Sequence, residues 1–561
     1  MAEEDIREID RVLAELFAAS YEEHKARHER LLKDIISQAS ISPVYSGRIS
    51  PLMSLDDLSS LPLTSYEHIF ECTERTSEGE VLLAPLVKSF HTSGSTGKPK
   101  RFHYGSEDIQ RIVLEYAMVS RAIGIRPGQR GWNLGGCLPD VSGYILDEVG
   151  KFLSMGDSVS TLLKDDKDLI KALKRISSEK DIDIIASGAL VLYLVGRMSK
   201  EPNFLNGLIE DKAVRAYHLP KPLAKLVRMI YLRGVDMEAL RSIADNVTIG
   251  VSYAEALNPY MGELRRCYPR LQLFDVYGST ENPIMAVQLD HAVNGLSMFI
   301  NTIIPEIADP EDVVKSKNDP RHTVKGTLWF DWKEGMRGEL VITRPGQCLP
   351  LVRYPTGDVI EVLDPAHEVH VHMDGGMVSF RLPLIRVLGR SAETLDFEAH
   401  DESGNYLGMK IYSRYVTEAL HRSSNVRWWE IYNIKEMPAR LVVVVIPDAD
   451  PSDARRFAGE VVRRLTEERS DIPHSFQTAN DLGKLEVIVL PGEAYNMIQA
   501  EIDRRIKEGR SFGQLKPKHI YSIASHDEFV HMMQEKYEGW CPLLTPKSKA
   551  VKGVRDAGTG Q

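Results

Sequence analysis

Two lysines, two glycines and four hydroxyl side chains crowd into nine residues, Thr92-Ser93-Gly94-Ser95-Thr96-Gly97-Lys98-Pro99-Lys100. Glycine has no Cβ, so backbone N–H groups can approach an anion closely. Successive N–H groups in such a loop form an anion-binding concavity. The hydroxyls add donors and the lysines add positive charge. The chemistry this composition suits is polyphosphate binding. It is not a Walker A loop, which places four residues between its first glycine and Gly-Lys-Ser/Thr. Here Gly94 and Gly97 are separated by two residues, and Pro99 follows Lys98. The competing use of such a stretch is a polar surface turn.

Three further clusters could serve a bound nucleotide. Tyr277-Gly278-Ser279-Thr280-Glu281 follows the apolar run Leu273–Val276. Its tyrosine offers an aromatic face to a purine, and its threonine offers a hydroxyl to a phosphate. Its glutamate offers a hard oxygen to Mg²⁺, which binds through few carboxylates plus substrate phosphates. Alone, the cluster could equally be a tight turn with a surface glutamate. In Arg353-Tyr354-Pro355-Thr356-Gly357-Asp358 the aspartate can accept two hydrogen bonds from a diol. Ser252-Tyr253-Ala254-Glu255 ends another apolar run. His367, His370 and His372 sit near Glu368 and Asp374, and alternation puts His370 and His372 on one face of a strand. No recognised zinc spacing is completed there, so an exposed hairpin is expected.

The elements that must position these clusters alternate. Ser89–His91 reads as a strand feeding the loop. Ser106 is expected to cap a helix carrying Glu107 and Asp108 in its first turn, with Ile109, Ile112, Val113, Tyr116 and Ala117 buried and Gly124 at its end. Trp132–Leu134, Ile182–Ala186, Val247–Val251 and Leu273–Val276 read as strands, with Asp166–Ile176 and Pro259–Tyr268 as helices. This order predicts an α/β layered domain. Ligands of such sheets bind beyond the carboxyl ends of the strands, where Tyr253 and Tyr277 fall. At the N-terminus, Ile6, Ile9, Val12, Leu13, Leu16 and Phe17 repeat at helical spacing, and the helix is expected to continue past Leu31 and Leu32. Toward the C-terminus, strands Trp428–Ile434, Arg440–Ile446, Leu485–Leu490 and Ile520–Ile523 alternate with helices Asp453–Glu467, Glu493–Glu508 and Asp527–Glu535, a smaller α+β domain.

A chain of 561 residues exceeds one core, so two or more domains are expected. The net charge of −11 argues against general nucleic-acid binding. Five cysteines lie far apart without a CxxC pair, suggesting neither a zinc site nor a disulfide framework. The apolar runs fall short of a membrane span, and the acidic N-terminus lacks a signal-peptide core. These features together predict a reduced, cytoplasmic setting.

The loop Thr92–Lys100, Tyr277–Glu281, Tyr354–Asp358 and Leu388-Gly389-Arg390 resemble, in this order, the motifs of the adenylate-forming (AMP-binding) superfamily. That superfamily includes acyl-CoA synthetases and peptide-synthetase adenylation domains. The resemblance implies a large layered α/β domain over 1–388, a smaller mobile α+β domain over 389–552, and a loose tail over 553–561. It implies that ATP and a small-molecule carboxylic acid become an acyl-adenylate and pyrophosphate, with Asp140 and Ser142 as candidates for the wall of the carboxylate pocket. Thr92, Ser93, Gly94, Ser95, Thr96, Gly97, Lys98 and Lys100 would hold the β- and γ-phosphates, and Thr280 would meet the α-phosphate. Tyr253, Ala254, Glu255, Tyr277, Gly278 and Ser279 would surround adenine, Glu281 would carry Mg²⁺, and Asp358 and Arg390 would hold ribose and phosphate. A lysine near the C-terminus should approach the carboxylate; Lys516, Lys518, Lys547 and Lys549 are candidates, and Lys547 is the choice. Two positions depart from the pattern. Pro355 replaces a basic residue, with Arg353 expected to supply a charge instead, and Ala392 stands at the usual Asp or Lys hinge. The phenylacetate–CoA ligase-like branch implies transfer to CoA; the acyl-acid amido synthetase branch implies an amine acceptor such as an amino acid. A non-catalytic nucleotide-binding relative is the third reading. No nucleic acid or membrane span is expected, and a homodimer is left open.

Overall fold

The computed structural model describes residues 7, 10–12, 15, 19–49, 54–75, 81–92, 99–155, 158–162, 166–179, 181–217, 219–254, 257, 260–319, 322–373, 376–400, 406–421, 425–436, 439–467, 475–507 and 519–537. Chain contacts divide them into two compact units, one reaching Val387 and one beginning at Leu388.

The first unit is built on a twelve-stranded sheet. Its spatial order is Gly326–Leu328, Ile304–Ala308, Arg337–Arg344, Leu351–Met373, Gly376–Arg390, Leu296–Met298, Ala286–Val287, Gln272–Tyr277, Ile249–Tyr253, Ile184–Gly188, Gly131–Asn133 and Val159–Ser160. The last five of these pair in parallel. Parallel neighbours need crossovers, and helices Val141–Phe152, Asp166–Ile176, Ala189–Lys200 and Met261–Cys267 lie in the connections. The parallel strands are covered on both faces, which explains their unbroken apolar sequences. Ile184 and Ala186 enter one core while Ile185 enters the other. The remaining strands are joined by antiparallel pairs and carry the long hairpin of Leu351–Met373 and Gly376–Arg390.

Several local expectations are corrected. Helix Tyr21–Ser40 starts afresh at Ser20, whose hydroxyl and Glu23 form a reciprocal capping box; of the six apolar residues between Ile6 and Phe17, only Val12 lies within the described residues. This helix is pinned by His28: Trp329 Nε1 donates to its Nδ1 at 2.8 Å, leaving Nε2–H to donate to the carbonyl of Ile300. Burial pushes the His28 pKa down to about 4, so the ring is neutral. The cap of helix Ser106–Ala122 is Gly105, not Ser106, because the buried Asp108 carboxylate reaches back to the Gly105 N–H at 3.0 Å. Strands Ile184–Gly188 and Ile249–Tyr253 begin two residues later than expected. Between them stand helices Ala189–Lys200, Pro202–Tyr217, Lys221–Leu232 and Met237–Asn246. No motif marks them, and among their described residues only Lys221–Leu232 exposes large apolar side chains. The histidines fall on the long hairpin: His370 Nδ1 meets Ser379 Oγ at 2.7 Å and His367 Nε2 meets Asp290 at 3.1 Å. Among the described residues no cluster of three metal-ligating side chains forms.

The second unit has the expected α+β character. Its four-stranded sheet runs Leu485–Val489, Arg440–Pro447, Val426–Ile434, Ile520–Ile523, antiparallel in the middle and parallel at both edges. Helix Ala454–Thr466 opens on Asp453, whose side chain accepts from two backbone N–H groups. The buried Glu430 carboxylate is satisfied by Trp428 Nε1 at 2.8 Å, Tyr432 Oη at 2.6 Å and Lys536 Nζ at 2.5 Å.

Arg353 does not supply a charge at the motif. Its side chain is fully buried in an ion pair with Glu306 at 3.1 Å, and its guanidinium donates to the carbonyls of Ser59, Leu61 and Val324. The bulge between Ile342 and Arg344 gives Arg353 a φ of +49°, which turns the side chain toward the core. Breaking such a pair strands a buried carboxylate. Arg353→Ala should lower unfolding free energy by about 3–5 kcal/mol in urea titration, more than Arg353→Met does in combination with Glu306→Leu. A second group carries a pH signature. Glu115 is buried with Arg111 Nε 3.6 Å from its Oε1, and burial, partly offset by Arg111, Arg344 and Thr302, raises its pKa from 4.5 to about 7. The folded state then holds a proton that the unfolded state releases, so this contribution is complete below pH 4.5 and is lost as pH rises through 7. Glu115→Gln should flatten that slope and raise stability at pH 8 by about 1–3 kcal/mol, read as melting temperature against pH.

Candidate active site

The polyphosphate-type loop hangs from a two-stranded hairpin. Lys88–His91 pairs with Arg101–Tyr104, from Lys88 opposite Tyr104 to His91 opposite Arg101. Thr92 and Lys100 close its base twice: Thr92 N donates to Lys100 O at 2.9 Å, and Lys100 N donates to Thr92 Oγ1 at 2.9 Å. Thr92 therefore serves the loop's neck through both hydroxyl and backbone. Ser93, Gly94, Ser95, Thr96, Gly97 and Lys98 lie outside the described residues.

Strands Ile249–Tyr253 and Gln272–Tyr277 lie side by side in parallel, with Tyr253 opposite Val276. Tyr253 and Tyr277 thus leave the same sheet edge together. The Tyr253 hydroxyl is buried near Asp140 and Ser142, and burial raises its pKa, so it stays protonated. Ala254 takes a φ of +75°, a conformation that favours glycine. Strain of this kind clusters at functional sites. Glu255 lies outside the described residues.

After Tyr277 the chain folds tightly back on itself. A Cβ on Gly278 would stand 1.8 Å from the carbonyl oxygen of Pro283, so only glycine fits. Ser279 N donates to Asn282 O at 3.0 Å, and Met285 N donates to Tyr277 O at 2.8 Å. The carbonyls of the turn are taken by side chains from elsewhere. Tyr104 Oη donates to Thr280 O at 2.5 Å, Arg344 Nε to Glu281 O at 2.6 Å and Tyr116 Oη to Pro283 O at 2.6 Å. Burial raises both phenols' pKa values, which keeps them donors. The Arg344 guanidinium also lies 5.4 Å from the Tyr104 ring centroid, a cation–π distance. No motif marks Tyr104, Tyr116 or Arg344; the one available sign was the aromatic residue ending the strand after the loop. The turn presents Thr280 half-exposed and Glu281 buried.

The Thr-Gly-Asp motif is a bulge. Glu339 faces Val359 and Val341 faces Pro355, so Thr356, Gly357 and Asp358 stand opposite Leu340 alone. Gly357 takes a φ of +80°, which a side chain would resist. Thr356 Oγ1 donates to Leu340 O at 2.9 Å and accepts from Asp358 N at 3.2 Å. This fixes the Asp358 carboxylate, whose Oδ2 accepts from Tyr277 Oη at 2.8 Å. Earlier on the same strand, Tyr354 Oη accepts from Lys100 Nζ at 3.4 Å. The Lys100 ammonium also lies 5.5 Å and 5.9 Å from the Tyr66 and Tyr354 ring centroids.

Three of the four motifs therefore meet in the first unit, each tied to the next. Asp140 and Ser142 stand at the start of a helix. The Asp140 carboxylate caps helix Val141–Phe152, accepting from Ser142 N and Ser142 Oγ at 2.9 Å each, and Ser142 Oγ accepts from Gly136 N at 3.3 Å. Arg390 belongs to the second unit, where it precedes the single turn Ser391–Glu393 and accepts at its carbonyl from Thr394 Oγ1 at 3.2 Å. Ala392 is exposed in that turn. Lys516, Lys518, Lys547 and Lys549 lie outside the described residues.

No protein-family model and no curated sequence matches the chain. Solved structures do. A 2-hydroxyisobutyryl-CoA ligase, in its postadenylation state with R3-HIB-AMP, superposes with a TM-score of 0.59 at 15% identity, covering 93% of this chain and 94% of that one. The same ligase in an open conformation with 2-HIB-AMP and CoA gives 0.52 at 15% identity, over 85% and 90% of the two chains. The acyl acid amido synthetase GH3.15 gives 0.59 at 14% identity, over 93% and 94%. The chain therefore has the fold of these solved proteins, the mixed α/β architecture expected from its sequence.

Proposed function

We propose that this chain uses ATP to activate a carboxylic acid as an acyl-adenylate, releasing pyrophosphate, and then passes the acyl group to the thiol of CoA. One observation carries the reading: three nucleotide-type motifs, distant in sequence, are joined by direct contacts, Lys100 to Tyr354, Tyr104 to Thr280 and Tyr277 to Asp358. A random set of polar turns has no reason to converge in this way.

In the first half-reaction the substrate carboxylate attacks the α-phosphorus, and the bond to the β-phosphate bridging oxygen breaks. The loop from Thr92 to Lys100 receives the β- and γ-phosphates. Its neck is closed by the paired Thr92 and Lys100. Thr280 offers its hydroxyl to the α-phosphate. Asp358, held on one oxygen by Tyr277, offers the other to the ribose diol. Tyr277 and Tyr253–Glu255 border the adenine, and Arg390 is assigned to ribose and phosphate. Glu281 would hold Mg²⁺. A single buried carboxylate fits that ion, which takes one or two carboxylates and completes its shell from water and phosphates. When bound, it neutralises triphosphate charge. Lys547 is assigned the cation between the two approaching anions. Positioning and charge compensation supply most of the acceleration in transfers of this kind.

A second reading, transfer to an amino acid, rests on the equal likeness to GH3.15, at the same TM-score and coverage as the CoA ligase. Carboxylate-dependent ATP–pyrophosphate exchange over a panel of acids tests the shared first step. A flat response would leave a nucleotide-binding relative without turnover. Offering CoA and an amino-acid mixture together, with products read by mass spectrometry, separates the two acceptors.

Asp358→Asn should weaken ATP in the exchange reaction by about 10–100-fold, the worth of a hydrogen bond to a charged group. Tyr277→Phe keeps the ring but frees the carboxylate, and should cost only about 3–10-fold. Lys547→Ala should lower the adenylation rate by about 10²–10³-fold with ATP affinity largely kept; undiminished adenylation would remove its assignment.

A further inference from the structure

The Lys100 side chain is held between rings. Its ammonium stands 5.5 Å from the Tyr66 ring centroid and 5.9 Å from that of Tyr354, and it donates to Tyr354 Oη at 3.4 Å. Both centroid distances lie within cation–π reach. Among the described residues no carboxylate pairs with this ammonium. Tyr66 belongs to neither the loop nor the other nucleotide motifs; it opens helix Tyr66–Arg75. It nevertheless meets three consecutive residues at the end of the loop. Its ring faces the Lys100 ammonium, its hydroxyl accepts from Arg101 N at 2.9 Å, and its ring packs on Phe102 at 5.7 Å between centroids. Phe102 in turn meets the Tyr354 ring edge-on at 5.8 Å. Tyr66 is itself held in place. Thr64 N donates to Arg353 O at 3.0 Å, Ser65 Oγ accepts from His68 N at 3.1 Å, and Phe70 stacks on the Tyr66 ring at 6.1 Å.

We propose that Tyr66 is a positioning residue for the terminal phosphates of the nucleotide, acting through Lys100. This rests on the assignment of Lys100 to the β- and γ-phosphates. A lysine side chain is long and carries much rotamer freedom, and a ligand that must order it loses affinity to that ordering. Here two rings and a phenol oxygen hold the ammonium before a ligand arrives. They draw it partly out of water without neutralising it, because an aromatic face attracts a cation but carries no net charge. An anion that reaches the ammonium therefore meets its full charge, which a carboxylate partner would have cancelled. The Tyr66 hydroxyl adds a second constraint. Its bond to Arg101 N fixes the backbone one residue beyond Lys100, where strand Arg101–Tyr104 begins. AMP has no β- or γ-phosphate, so the effect of Tyr66 should separate ATP from AMP.

The test is calorimetric titration of the full chain with ATP and with AMP, each with magnesium. Tyr66→Leu should weaken ATP by about tenfold and leave AMP within about twofold. Tyr66→Phe keeps the ring, gives up the bond to Arg101 N and should cost ATP about threefold, again sparing AMP; it carries the test if Tyr66→Leu does not fold. Lys100→Met should weaken ATP by itself, and Tyr66→Leu added to it should bring little further loss, since residues that act through one contact are coupled in a double-mutant cycle. ATP affinity unchanged in both Tyr66 variants, an equal loss of ATP and AMP, or a Tyr66→Leu loss that persists in full beside Lys100→Met overturns the proposal and leaves the adenylation reading untouched. An unmodified chain that binds no ATP removes both. The expected pattern of affinities together with flat pyrophosphate exchange removes the adenylation reading and supports this role of Tyr66.

Discussion

A backbone folded as tightly as Gly278–Pro283 has carbonyls that no regular ladder can satisfy, and buried carbonyls must find donors. Here Tyr104, Arg344 and Tyr116 supply them, from the strand after the loop, the strand before Leu351–Met373 and the helix that follows the hairpin. Because each donor comes from a different element, the turn cannot move without disturbing all three. The half-exposed Thr280 and buried Glu281 inherit this rigidity. It is what a site needs when its task is to hold charged groups at fixed distances.

Buried charge does the matching work behind the second edge of the site. Thr64 N donates to the Arg353 carbonyl at 3.0 Å while the Arg353 side chain reaches Glu306 and three carbonyls. One residue thus ties the approach to the loop, an edge region of the sheet and the strand that carries Asp358. A single Arg353 links these segments because guanidinium offers five donors in a fixed fork. The neighbouring bulge at Thr356–Asp358 then lifts the carboxylate out of the ladder toward Tyr277. Pro355 is tolerated at the bulge's edge, where the regular ladder is already broken.

Much of this organisation was legible in the chain itself. The loop composition, the two strand-end clusters and the alternation of strand and helix pointed to an α/β fold with a ligand edge, because short apolar runs bounded by glycine and proline carry their period locally. The smaller α+β domain was equally plain from helix periods such as Phe457, Val461 and Leu465. The capping box at Ser20 was also written in the chain, as Ser-x-x-Glu. Among the helices between Gly188 and Ile249, Lys221–Leu232 is the one whose apolar residues face solvent, so there hydrophobic period and burial part company.

The sequence by itself determined which residue types could meet a nucleotide, since glycine freedom, hydroxyl donors and carboxylate acceptors are properties of single residues at short spacing. Tertiary structure alone decided their partners. That Tyr277 grips Asp358, that Tyr104, Tyr116 and Arg344 hold the turn, and that Arg353 serves the core all follow from contacts between distant segments, which elsewhere reach 309 positions, as in Tyr21 with Phe330. Hydrogen bonds of that separation leave no periodic trace, because each depends on where the sheet places a strand rather than on what stands next in the chain.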